Sequence, residues 1–126
     1  MIKNGLSIGL LILRISISVG MLTHGIPKTK YLFNDPSQFS DPLGFGGTLS
    51  LILVLTAEIV GPIFVIIGYK TRLATIPPII TMLVAFILVH SDDDFGRREK
   101  AFLYAIGFIT ILLTGAGKYA IDKWKK

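Results

Sequence analysis

A chain of 126 residues that is 52% hydrophobic and only 17% charged, with a mean hydropathy of +0.68, has the composition of an integral membrane protein, since soluble domains average about 25% charged residues. A single membrane domain over residues 1–126 is expected to use the whole length, without a separate soluble domain. The net charge of +5 does not point to nucleic acid, because the basic residues sit at the ends of apolar runs. The absence of cysteine excludes disulfides, a thiol nucleophile and a cysteine-ligated cluster.

The first apolar run, about residues 5–24, follows Lys3 and contains Arg14. With a charge inside it and no Ala-x-Ala-like site after it, the run reads as a retained transmembrane helix and not a cleaved signal peptide. Residues 25–47 make a connection too long for an ordinary bundle turn. Pro27, Pro36, Pro42 and Gly44-Phe45-Gly46-Gly47 break regular structure there, while Tyr31, Leu32, Phe33, Phe39, Leu43 and Phe45 are too apolar for a solvated linker. A partly buried cap over the outer end of a bundle fits this composition; a surface-lying segment without a ligand role fits it equally.

The second run, about residues 48–68, has Glu58 as its one charge. A carboxylate near mid-membrane costs about 2.5–3.5 kcal/mol to insert, so it is expected to face the protein interior and find a partner. Tyr69-Lys70-Thr71-Arg72 is a tight link to the third run, about residues 71–90, which makes the two antiparallel neighbours. Pro77-Pro78 removes backbone donors and is expected to kink the third helix. The fourth run covers about residues 99–115, and Gly115-Ala116-Gly117 reads as its stop. These runs predict an all-α, integral membrane four-helix up-and-down bundle with a long capping loop between the first and second helices.

Lys3, Lys70, Arg72, Lys118, Lys123, Lys125 and Lys126 fall on one side of that bundle, against Lys28, Lys30, Arg97, Arg98 and Lys100 on the other. The positive-inside rule therefore places both termini in the cytoplasm. Tyr119 and Trp124 follow the last span as interfacial anchors.

Two polar layers stand out. Counting residues from the inner ends puts Arg14 and Glu58 at similar depth, which predicts an ion pair. Such a pair either only fixes helix register or also binds a ligand or moves protons. On the first helix Ser7, Arg14, Ser18 and Gly25 share a narrow arc; on the fourth, Glu99, Leu103, Gly107, Thr110 and Thr114 share another, and both stripes are expected to face the bundle. At the outer boundary His24, His90 and Glu99 come from three different spans beneath the long loop. They are candidate ligand-binding or proton-relay residues, against an ordinary boundary cluster of hydrogen-bonded side chains. Haem held by His24 and His90 is the minor reading of the pair. Asp92-Asp93-Asp94 reads as a solvated acidic run and not a metal site. The chain has no Walker A loop, GxSxG, HExxH or CxxC, so hydrolysis, nucleotide binding and dithiol chemistry lack their parts.

Taken in order, Leu13-Arg14, His24-Gly25-Ile26-Pro27-Lys28, Ala57-Glu58 with Gly61, Gly68-Tyr69-Lys70-Thr71-Arg72-Leu73-Ala74, His90 with Glu99, and Gly115-Ala116-Gly117-Lys118-Tyr119-Ala120-Ile121-Asp122 resemble the DoxX family. The resemblance implies a small four-helix protein of the bacterial inner membrane. It also implies kinship with subunits of a terminal quinol oxidase, of thiosulfate:quinone oxidoreductase and of oxidative-stress complexes. The expectation that follows is an accessory subunit of a redox-associated complex, a non-autonomous oxidoreductase component binding a quinone or similar lipid-soluble molecule and redox partner proteins. Arg14 and Glu58 would be its deep polar contacts, with His24, His90 and Glu99 near the mouth. The competing reading is a non-catalytic membrane module for lipid handling or partner docking.

Overall fold

The computed structural model describes residues 4–89, 92 and 94–124. His90 and Asp93 among the residues singled out above, and Lys3, Lys125 and Lys126 among those that set the orientation, lie outside it. All the regular structure among the described residues is helical.

Helix α1 (Gly5–Gly25) continues through a 3-10 turn (Ile26–Thr29) into the single turn α2 (Lys30–Phe33), and a second 3-10 turn (Pro36–Gln38) follows. The next rod is α3 (Gly47–Leu55), a π-helical turn (Thr56–Val60) and α4 (Gly61–Ile67). Then come α5 (Thr71–Val84) with its own π-turn (Ala85–Val89), α6 (Phe95–Thr114) and the short α7 (Ile121–Trp124). α1 packs on α4 and α6, and α5 packs on both α4 and α6, so these rods close a ring. α5 and α6 share the largest contact, through a core of Ile79, Met82, Ala101, Ala105, Phe108 and Ile111.

Polarity in this ring is reversed relative to a soluble domain. On α1 the buried positions are Leu10, Arg14, Ser18, Met21 and Gly25, spaced by three and four residues as one helix face requires. Leu6, Ile12, Ile15 and Val19 point outward instead. The pattern repeats where Glu58, Thr71 and Thr75 are buried while Ile52, Val60 and Leu73 are exposed. In water this would cost hydrophobic free energy at every turn, whereas in lipid it is the stable arrangement. Gly5–Phe33, Gly47–Ile67 and Thr71–Leu88 are the helices among the described residues that are long and apolar enough to cross a membrane.

Two expectations about the elements change. Helix α6 begins at Phe95 and not near residue 99, because Asp94 is extended and the basic residues after it continue in helical conformation. Arg98 is held there by donating from Nε and Nη2 to the Phe86 carbonyl, at 3.1 and 2.9 Å, with its guanidinium over the Phe86 ring. The Glu99–Thr114 stripe does not form the inner face of α6. Glu99, Leu103 and Thr114 are exposed, and the buried face is Ala101, Ala105, Phe108 and Ile111. Of that stripe, Gly107 meets a neighbouring helix, lying against the Ile17 side chain of α1. Helix α5 stays helical through Pro77-Pro78. The carbonyl of Ala74, which Pro78 cannot bond, lies beside Gly61 of α4, so a glycine allows the close approach.

The π-turn in the second rod has a local cause. Pro62 has no N–H for the Glu58 carbonyl, and Gly61 donates to the Thr56 carbonyl, five residues back. Such turns add a residue to the helical circuit and re-aim the side chains within it. Glu58 is one of them, and it is 1% exposed.

Candidate functional site

Arg14 and Glu58 do not pair. Gly25, eleven residues after Arg14, is the α1 position that lies against Glu58, where a Cβ would stand 2.8 Å from Glu58 Cβ and 2.9 Å from its carbonyl oxygen. At about 1.5 Å per residue, that offset separates the two charged residues by roughly 16 Å along the helix. The equal-depth count failed because α1 is shifted against the second rod, which residue numbering does not reveal.

Arg14 instead ties chain ends together. Its Nε donates to the Val65 carbonyl at 2.9 Å, Nη2 to Ile66 at 2.8 Å, and Nη1 to Ala116 at 3.1 Å and Tyr119 at 2.9 Å. The Val65 and Ile66 carbonyls belong to the last turn of α4, where the helix dipole favours a cation; Val65 also accepts from the Gly68 N–H at 3.2 Å. Gly68 follows at φ +74, a left-handed conformation that suits glycine, and a side chain there would run into Ala120 and Arg14. Asp122 completes the joint. Its carboxylate accepts from the N–H of Lys70 at 2.6 Å, the N–H of Thr71 at 2.8 Å and the Thr71 hydroxyl at 2.7 Å. It thereby caps α5 from the far end of the chain. Burial pushes the Asp122 carboxyl up, but the hydrogen bonds from Thr71 and Lys70, with the nearby Arg14 charge, outweigh it and hold the group below the usual carboxylate range.

At the other end a cavity of about 770 Å³ opens beneath the long connection. Its walls are mostly apolar, including Leu53, Val54, Ile80 and Val84, and its roof is the stretch carrying Phe39, Pro42, Leu43 and Phe45. The roof is anchored by Asp41, which accepts from the N–H groups of Phe45 (2.8 Å) and Gly46 (2.7 Å) and from the Ser50 hydroxyl (3.0 Å). These bonds, that of Gly46 foremost, hold the Asp41 carboxyl below its ordinary range.

The polar groups of the cavity are His24, Lys28, Glu58, Lys100 and Tyr104, with the hydroxyls of Ser40, Ser50, Thr56 and Thr81. Lys28 Nζ stands 2.9 Å from both carboxylate oxygens of Glu58. The 3-10 turn that begins at Ile26 carries Lys28 round the end of α1 and back to the carboxylate. His24 meets Tyr104 edge to face, ring centroids 5.5 Å apart. The expected roofed mouth therefore exists with His24 in its wall, whereas Glu99 is exposed and outside the lining, and His90 lies outside the described residues. Lys28, Lys100 and Tyr104 were missed as site residues. Spacing could have found them: Lys28 follows His24 by four residues and Tyr104 follows Lys100 by four, so each pair shares a helix face.

This fold and site can be set beside known proteins. The DoxX family model matches residues 9–91. The chain belongs to the DoxX family. This DoxX protein is 31% identical to the inner membrane protein YqjF of Escherichia coli over 92% of this chain and 91% of that one. It is 26% identical to a Bacillus subtilis protein named "Putative oxidoreductase CatD", over 95% of this chain and 89% of that one. No solved structure matches it. With its family and its apolar helices, this DoxX protein is membrane-embedded.

Proposed function

We propose that this DoxX protein is an accessory subunit of a redox-associated complex of the bacterial inner membrane, and that it binds a quinone or a similar lipid-soluble molecule. The observation that carries this reading is the apolar cavity with a bidentate Lys28–Glu58 pair and His24 in its wall. Pockets for lipid-soluble ligands combine such apolar walls with a few placed polar groups. The names of the two relatives support location and redox association respectively. In this reading α6 is a fourth span, since its 20 residues extend about 30 Å, and both termini face the cytoplasm. His24 and Tyr104 stand where they could exchange hydrogen bonds with a ring carbonyl or hydroxyl, and Glu58 is the deep acceptor.

The test is binding of decyl-ubiquinone to the purified protein in lipid nanodiscs, together with mass spectrometry of an organic extract of protein isolated in native-membrane discs. Saturable binding that Glu58→Gln weakens by about tenfold, and quinone in the extract, are the expected results. No binding and no extracted quinone would overturn the reading in favour of a lipid-handling or docking module. An active alkaline phosphatase fused to the C-terminus would overturn the orientation.

A further inference from the structure

Among the described residues, charge in the cavity does not balance. Two lysines and one glutamate line it: Lys28 is neutralised by Glu58 through two 2.9 Å contacts, whereas Lys100 has no carboxylate partner among the described residues. The nearest acid in sequence, Glu99, faces outward, and Asp41 is occupied by the roof. The surplus positive charge stands, exposed, at the edge of a mostly apolar cleft, a shape that focuses its field on an incoming ligand. Lys100 and Tyr104 also line a second, smaller groove with Ile17 of α1 and Leu103 of α6. Leu103 lies on the outward, lipid-facing side. The unpaired cation thus stands where the cavity meets the bilayer side of the α1–α6 seam.

We propose that the cavity takes an amphiphile with an anionic oxygen head, held by Lys100, and an apolar tail lying along Leu53, Val54 and Ile80. This rests on the reading of the cavity as a site for a lipid-soluble ligand and specifies its head group. A carboxylate, a phosphate or an acidic ring hydroxyl shares the chemistry: a negative oxygen that accepts charge-assisted hydrogen bonds from an ammonium. A neutral head makes no charge-assisted hydrogen bond to Lys100. Lys100 is exposed, so replacing it leaves the packing of α6 intact.

The experiment is binding of palmitate and of hexadecanol, equal in tail and different in head charge, to the full chain in dodecyl maltoside, with decyl-ubiquinone measured alongside. Palmitate is expected to bind about tenfold more tightly than hexadecanol. Lys100→Gln should abolish that preference, and Lys30→Gln, outside the cavity, should keep it. Equal affinities, or a preference that survives Lys100→Gln, would overturn the proposal. Decyl-ubiquinone binding without a palmitate preference overturns the anionic head and leaves the quinone reading standing; no binding of any probe overturns both. Where palmitate binds as expected, displacement by dioleoylphosphatidylglycerol assigns the head to a phospholipid, and failure to displace assigns it to a free acid. Either result supports the proposal.

Discussion

Lys28 and Glu58, thirty residues apart in sequence, form a bidentate ion pair in which the carboxylate side chain is 1% exposed and the lysine 35%. The lysine comes from the turn after α1 and the glutamate from a π-turn in the second rod, so the pair locks the capping segment to the bundle. Lys28→Met leaves a buried carboxylate uncompensated. The expected loss is about 2 kcal/mol, below the ~3–5 of a fully buried pair because water reaches the lysine. Lys28→Met with Glu58→Met should recover most of it. Unfolding by sodium dodecyl sulfate titration in bicelles would check this, and a double variant as weak as the sum of the singles would show that the pair is not coupled.

Arg14 satisfies four carbonyls from two distant segments. Arg14→Leu should cost about 3 kcal/mol, because Ile66, Ala116 and Tyr119 lose this donor and Val65 keeps only the Gly68 N–H. Arg14→Lys should rescue little, because one ammonium cannot span the acceptors that the guanidinium fork reaches. Hydrogen exchange gives the specific readout: amides of residues 116–122 should lose protection in both variants while those of α5 and α6 keep it.

Asp122 caps α5 across the chain, so Asp122→Ala should cost about 1 kcal/mol at neutral pH. Its carboxyl is held below the ordinary range in the folded protein. Stability from a depressed carboxyl is fully present above the unfolded carboxylate pKa, near ~4, and is lost as pH falls through the folded value. The gap between wild type and Asp122→Ala should therefore close on acidification below about pH 4. A gap that widens there would contradict the sign.

Gly25 and Gly9 offer a contrast within one helix. A Cβ at Gly25 would press on the Glu58 backbone and on Ile59 at under 3 Å, whereas at Gly9 it would meet nothing within 4 Å. Gly25→Ala should shift the π-turn, lower stability by about 1–3 kcal/mol and weaken ligand binding. Gly9→Ala should be neutral or stabilising by up to about 1 kcal/mol, from helix propensity. Thermal unfolding of both variants in the same detergent decides it, and equal effects would refute the close approach.

Much of this architecture was legible in the chain because hydropathy and helical periodicity are local properties. The membrane class, the apolar helices, the buried face of Arg14, Ser18 and Gly25, and the roofed mouth holding His24 were read from runs and spacings of a few residues. The sequence also marked Arg14 and Glu58 as charges that lipid would not tolerate. Only the tertiary structure decided what each of them meets. Arg14 binds backbone oxygens 51 to 105 residues away, and carbonyls at a helix end carry no residue-type signature. Glu58 takes Lys28 because the rods are displaced along one another and the 3-10 turn after α1 folds a lysine back over the carboxylate. Helix α6 turned its apolar face inward, since its neighbours on α5 determine its rotation and its own periodicity allowed either stripe. Displacement and rotation of packed helices are set jointly by all the surfaces in contact, and no single segment encodes them.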